Sequence, residues 1–123
     1  MKLLLITQVV DPTDSNLGFF CEWIERIAKD QRVESVDVWC LKDGAWEHRP
    51  SNVNVHVLPK GKPRRIWTLF SKLVWSQADT VFVHMVPVWT ALGGWLWRLR
   101  GKRVVLWYTH GHASIWLRLS LPF

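Results

Sequence analysis

Two histidines separated by one glycine follow an apolar segment of this chain. The stretch LWYTHGHAS, residues 106–114, places His110 and His112 after it, and His84 ends an earlier apolar run, VFVH. Side chains two residues apart in an extended chain point the same way, and imidazoles bind zinc or act as acid and base. The three histidines therefore suggest either a zinc site, as in a small hydrolase, or one hydrogen-bonding or acid–base histidine at a cleft. No carboxylate or cysteine lies near them in sequence, so we favour the second and predict no metal.

The elements that must position these histidines alternate regularly. Apolar runs typical of strands begin at Lys2, Val33, Val53, Asp79 and Lys102, and helical spacing of apolar residues covers Phe20–Ala28, Ile66–Val74 and Val88–Leu99. This order predicts one α/β domain over residues 1–123, with an open, mostly parallel Rossmann-like sheet and helices on both faces. Ligands of such sheets bind at the carboxyl ends of the strands. His84 and His110 should lie at that edge.

A polar loop at the same edge, DPTDSNLG, joins the first strand to the first helix. Its last residues, including Asn16, can cap the helix, and Gly18 would let a phosphate approach the backbone N–H groups of the helix start. A plain turn glycine is the alternative. The chain carries neither GxGxxG nor a GKS or GKT P-loop, and we predict no bound cofactor.

The composition is unusual in its charge and its tryptophans. The net charge is +6 and there are ten Trp among 123 residues; the charge fits either a polyanionic partner or a role in solubility alone. The segment KGKPRRIWTLFSKLVW joins a basic turn to an amphipathic helix, so Lys60, Lys62, Arg64, Arg65 and Trp67 are predicted to contact an anionic membrane surface. The alternative is a helix docked on the sheet behind a solvated basic turn. We expect no nucleic-acid partner.

Burial and location can also be predicted from the sequence. Trp23, Trp39 and Trp107 should pack inside, whereas Trp46, Trp67 and Trp75 should be partly exposed. Cys21 and Cys40, the two cysteines, fit buried thiols of a reducing compartment. No apolar run approaches the roughly 20 residues of a membrane span. The expected location is therefore cytoplasmic, with peripheral contact at the inner face of the membrane as an extension of that prediction.

Three segments taken in order, KLLLITQVVDPTDSNLGFFCEWIERIAKD, ADTVFVHMVP and GKRVVLWYTHGH, resemble the N-terminal half of GT-B glycosyltransferases. The likeness is to the large retaining family that uses nucleotide-sugar donors. It implies sugar transfer to a glycan or lipid-linked acceptor, with this domain on the acceptor side. It also implies that His110 contacts the donor sugar and stabilises charge in the transition state. Asn16, Gly18, His84 and Thr109 are assigned to substrate binding at the same edge.

The sequence differs from the family pattern at two points. The family commonly has Gly-Gly where this chain has Leu17 and Gly18. The donor-binding C-terminal domain of the family is not in the sequence, so we expect a truncated product, a fragment or half of a split enzyme completed by a second chain. Because transfer needs both walls of the cleft, the chain alone is predicted to be inactive. The alternatives are a flavodoxin- or receiver-like binding domain and a zinc hydrolase using His84, His110 and His112.

Overall fold

The computed structural model describes residues 1–15 and 18–107. Its strands are β1 (Lys2–Val10), β2 (Ser35–Asp43), β3 (Val53–Val57), β4 (Thr80–His84) and β5 (Arg103–Trp107). They form one sheet in the order β3-β2-β1-β4-β5, and every neighbouring pair is parallel. The predicted α/β class and the open parallel sheet are confirmed. β3 lies at the sheet edge, as its alternating sequence predicts.

Helices cover both faces of the sheet. They are α1 (Phe19–Lys29), α2 (Lys62–Thr68), which continues as a π-helical segment (Leu69–Leu73), and α3 (Pro87–Leu99). Successive side chains of a strand point to opposite faces, so the apolar strand β1 supplies two cores. Leu5 packs in the core that contains Ile24 of α1, whereas Leu4 packs in the core that contains Leu69 and Trp97.

The strand order reverses between β1 and β4. From β1 the chain moves outward through β2 to β3, and it then crosses to β4 and β5 on the other side of β1. This is the order of Rossmann sheets, and it differs from the 2-1-3-4-5 order of flavodoxins and receiver domains. A reversal leaves a crevice at the carboxyl ends of the two strands, which places Val10 and His84 beside it.

Three packing predictions are wrong at the helix surfaces. The sequence predicts Trp23 in the core, but this side chain is 41% exposed and packs only in part, against Trp107, with ring centroids 4.4 Å apart. It predicts one amphipathic helix over Ile66–Val74, but the π-helical segment interrupts it, and Ile66 is exposed. It predicts α3 buried all round, but Leu99 is 81% exposed. In a π-helical segment the hydrogen bonds span five residues instead of four. The side chains of Leu69–Leu73 are therefore rotated relative to the α-helical pattern that the sequence predicts.

Other burial predictions are confirmed. Cys21 and Cys40 are buried, and desolvation raises the pKa of both thiols to about 11. Trp67 and Trp75 are exposed. Within the described ranges, no helix combines the length and the apolar character that crossing a bilayer requires.

Candidate functional site

His84 is the last residue of β4 and lies at the reversal of strand order, only 2% exposed. Its Nδ1 is 2.9 Å from the Oγ1 of Thr7 on β1. The ring of Phe20, from α1, stacks on the imidazole with centroids 3.8 Å apart, and Trp107 of β5 contacts it edge-on at 5.5 Å. Four elements therefore meet on one imidazole.

The surroundings of His84 keep it uncharged. Burial lowers its pKa from 6.5 to about 4, because desolvation penalises the imidazolium form. A neutral imidazole has one donor and one acceptor nitrogen, and Thr7 engages one of them. At neutral pH, His84 can orient a partner through a hydrogen bond but cannot offer a positive charge to an anion.

The backbone just after β4 is held in an uncommon conformation. Met85 has a φ of +63°, in the left-handed region that side chains such as methionine rarely adopt. Its N–H donates to the carbonyl of Trp107 at 2.9 Å, and its carbonyl accepts from Nε2 of Gln8 at 3.0 Å. Strained conformations of this kind collect at functional sites. Hydrogen bonds from both neighbouring strands fix the chain as it leaves the crevice.

Sequence reasoning missed Thr7, Gln8, Phe20 and Met85 as parts of this site. One signal was present: Thr7 and Gln8 are polar residues in an otherwise apolar central strand, near its carboxyl end. Polar groups there are costly unless they are bonded, which points to a local network. The left-handed Met85 leaves no comparable trace in the sequence.

Gly18 serves the loop before α1. Its N–H donates to the carbonyl of Asp14 at 3.1 Å, so this amide is already bonded. A Cβ at Gly18 would lie 2.5 Å from the carbonyl oxygen of Asp14 and 2.7 Å from that of Pro12. The close approach of the loop backbone therefore explains the glycine, and the predicted phosphate contact gains no support from this amide.

An acidic cleft of about 460 Å³ lies beside this loop. Glu22, Glu25 and Glu47 line it together with Trp46, whose Nε1 donates to Oε1 of Glu25 at 2.9 Å. Carboxylates repel a phosphate but accept hydrogen bonds from hydroxyl groups. The cleft suits a neutral, hydroxyl-rich ligand.

A second cavity, the α2–α3 pocket, has a volume of about 390 Å³ and opposite character. Its lining consists of apolar residues and two cations: Leu41, Ile66, Val86, Val88, Trp89, Leu92, Lys62 and Arg65. Of the predicted membrane-contacting residues, Arg65 is half-buried, while Lys60, Lys62, Arg64 and Trp67 are exposed. These five residues lie on α2 and in the turn before it, with Lys62 and Arg65 lining the pocket.

Several predicted site residues lie outside the described ranges: Asn16, Thr109, His110 and His112. β5 is described up to Trp107, which pairs in register with His84, so the strand that leads to His110 runs beside the one that ends at His84. Within residues 1–15 and 18–107, no three metal-ligating side chains cluster. Of the proposed zinc trio, the structure places only His84.

No protein-family model, curated protein or solved structure matches this chain. The features of this chain that bear on its function are therefore the fold, the acidic cleft, the α2–α3 pocket and the groups around His84.

Proposed function

We propose that this chain is the acceptor-side, N-terminal domain of a GT-B glycosyltransferase that uses a nucleotide-sugar donor. The observation that carries the proposal is the convergence of β1, α1, β4 and β5 on His84 at the reversal of strand order. Open parallel sheets bind their ligands at this position. The sequence after β5 contains His110.

In this proposal the histidines have different roles. Glycosyl transfer develops positive charge on the sugar and negative charge on the leaving diphosphate. His110 contacts the donor sugar and offsets charge in the transition state, as the family resemblance implies. The neutral ring of His84 lies buried behind the crevice, where it packs against Phe20 and Trp107 and adds no positive charge near the sugar.

The acidic cleft supports the assignment of this domain to the acceptor side. Glu22, Glu25 and Glu47 can accept hydrogen bonds from acceptor hydroxyls. The same carboxylates disfavour the donor diphosphate, and the Gly18 amide is already bonded. The proposal therefore assigns the diphosphate mainly to a second, donor-binding domain, in the same protein or in a partner chain.

The competing functions have less support. A flavodoxin- or receiver-like domain would have a different strand order from the one observed. For a zinc hydrolase, His84 would have to give up its contact with Thr7 or bind through its other nitrogen.

Titration of the ¹⁵N-labelled chain with a panel of nucleotide sugars tests the proposal by NMR. We expect shifts in Gly18, His84 and Trp107 at the carboxyl edge, with weak affinity because the donor-binding wall is absent from the sample. His110→Ala should remove these shifts, whereas His56→Ala, at an exposed position on the edge strand β3, should leave them unchanged. Shifts confined to other surfaces, or none with any donor, would contradict the proposal.

Transfer activity provides a second readout. The isolated chain should show no turnover with any donor and acceptor, because water exclusion and substrate alignment need both walls of the cleft. Turnover by the isolated chain would refute the need for a second domain.

A further inference from the structure

The α2–α3 pocket is chemically unlike the rest of the carboxyl edge. Its interior is formed by aliphatic side chains and Trp89, contributed by the end of β2, by α2 and by the start of α3. Only Lys62 and Arg65 bring charge to its lining. An apolar cavity with two cations is complementary to an amphiphile with an anionic headgroup. The hydrocarbon part of such a ligand would contact the apolar lining, and its headgroup would contact Lys62 and Arg65.

The two cations are available to a ligand. Neither Lys62 nor Arg65 forms an ion pair with another described residue. Arg65 is held in place because its Nε donates to the carbonyl of Pro59 at 3.0 Å. The sequence has no Asp or Glu between Glu47 and Asp79, and none after Asp79. The potential at Lys62 and Arg65 is therefore not offset by carboxylates of their own segment.

The helices that line the pocket carry further large apolar side chains along their length. Large side chains on α2, the π-helical segment, the turn after it and α3 are exposed: Ile66 42%, Trp67 74%, Phe70 38%, Trp75 64%, Trp95 61% and Leu99 81%. Tryptophans beside basic residues are typical of surfaces that lie in a membrane interface. Ile66 belongs both to the pocket lining and to this exposed apolar surface, so a lipid chain can pass from one to the other.

The same features disfavour two other anions. A nucleotide needs polar groups for its base and ribose, but the lining other than Lys62 and Arg65 is apolar. A nucleic acid strand could pair its phosphates with Lys62 and Arg65, but it has no hydrocarbon to fill the apolar cavity behind them. The volume of about 390 Å³ is near the lower end of the range for small-molecule sites, which favours one hydrocarbon chain over two.

We propose that the α2–α3 pocket binds a single-chain anionic lipid, with its phosphate at Lys62 and Arg65 and its hydrocarbon chain against Trp89 and Leu92. The proposal that this pocket binds a lipid depends only on the pocket and its lining residues. The role of that lipid as the sugar acceptor rests on the function proposed above. The two proposals are tested with different ligands and can fail separately.

The test uses the full chain and monomeric lysophosphatidic acid, followed by calorimetry and ¹⁵N NMR without any nucleotide sugar. We expect saturation at one lipid per chain, with shifts over residues 62–66 and 86–92. Glycerol 3-phosphate has the same phosphate headgroup but no acyl chain. Its affinity should be at least about a hundredfold lower than that of lysophosphatidic acid, since each buried methylene contributes about 0.8 kcal/mol. Lysophosphatidylcholine supplies the chain with a zwitterionic head and should also bind more weakly.

Two variants separate the pocket from general surface adsorption. Lys62→Gln combined with Arg65→Gln should weaken lysophosphatidic acid binding roughly thirtyfold, from the loss of two interfacial cations. Leu92→Trp should fill the pocket and abolish one-to-one binding, with Leu92→Phe as the milder variant if the first does not fold. Lys72→Gln removes a cation of the π-helical segment that does not line the pocket, and it should change the affinity less than twofold.

Several results would overturn the proposal. Equal affinity for glycerol 3-phosphate would mean a simple anion site, and unchanged binding by Leu92→Trp would mean adsorption outside the pocket. NMR shifts at Trp67 and Trp75 that keep growing with lipid concentration, without saturation, would also mean adsorption outside the pocket. Competition by a short RNA at lower concentration than the lipid would assign the cations to nucleic acid. None of these results alters the expected outcome of the nucleotide-sugar titration.

Discussion

At the residue scale, His84 shows how its surroundings set the chemistry of an imidazole. The side chain has a hydroxyl on one nitrogen, a stacked phenyl ring on its face and an indole at its edge. These groups exclude water and contribute no negative charge, so the neutral form is favoured. The contact with Thr7 joins β1 to β4, which makes His84 a structural link between the two strands.

The lowered pKa of His84 predicts a specific pH dependence of stability. Its pKa is about 4 when folded and about 6.5 when unfolded, so between these values the unfolded chain binds more protons. The free energy of unfolding should therefore rise with pH from 4 to 6.5 and lose this contribution as the pH falls through that range. The expected change is on the order of 3 kcal/mol.

Urea denaturation of the wild-type chain and of His84→Gln at both ends of this pH range measures the effect. The variant should show a smaller rise because its side chain does not titrate, and its stability above pH 6.5 should be lower because packing is lost. Ser51→Ala, at an exposed position in the loop after β2, removes no titratable group and should retain the wild-type slope. Identical slopes for His84→Gln and wild type would show that another group carries the pH dependence.

At the scale of elements, the loop between β1 and α1 is shaped by backbone contacts. Asp11 begins it, with Oδ1 accepting from both the N–H and the hydroxyl of Thr13 at 2.9 and 2.7 Å. These bonds lower the pKa of the Asp11 carboxyl. Gly18 closes the loop where the chain passes close to the carbonyls of Pro12 and Asp14.

Gly18→Ala should destabilise the fold even though alanine favours helices. The new methyl group would overlap two carbonyl oxygens of the loop backbone, which must then move. We expect a loss of roughly 1–3 kcal/mol, typical of an added methyl group that forces the backbone to shift. Urea denaturation measures it, with Ser15→Ala, exposed on the same loop, as a near-neutral control. A stabilised Gly18→Ala variant would mean that the loop is not held as described.

Helices and strands are predicted more accurately from the sequence where a single strong residue pattern determines their type and burial. β1 is apolar at nearly every position, so its burial on both faces and its central place follow directly. The π-helical segment Leu69–Leu73 is harder to foresee, because one extra residue in a turn leaves the local pattern almost unchanged. The placement of His84 at the carboxyl edge follows from the alternation of elements. Its contacts with Thr7 and Phe20 depend on strand register and helix docking, which no short pattern encodes.

At the scale of the whole molecule, the two faces of the sheet differ in charge, because α2, the π-helical segment and α3 carry cations and no carboxylate, whereas α1 carries both signs. All ten carboxylate side chains lie at or before residue 79, and those of the acidic cleft come from α1 and from the loop between β2 and β3. The opposite face carries α2, the π-helical segment and α3, with their cations and exposed aromatic residues. A separation of this kind orients a protein in the field of an anionic surface.

The orientation predicts that the chain binds vesicles of phosphatidylcholine and phosphatidylglycerol but binds pure phosphatidylcholine weakly. Binding should fall sharply at about 1 M salt, where the Debye length is about 3 Å. Replacing both Trp67 and Trp95, which are 74% and 61% exposed, with alanine should reduce partitioning roughly tenfold through the loss of buried aromatic area. Sedimentation with vesicles measures each value.

The matched control for the double variant is Phe19→Ala, which removes a 48% exposed aromatic side chain from α1 on the acidic side of the sheet. It should leave partitioning unchanged if the basic face is the one that contacts the membrane. Leu92→Trp should also leave it unchanged, because filling the α2–α3 pocket does not alter the exposed aromatic surface. Equal losses from Phe19→Ala and from the double variant would show that the chain adsorbs without a preferred face, and the charge separation would then have no role in membrane contact.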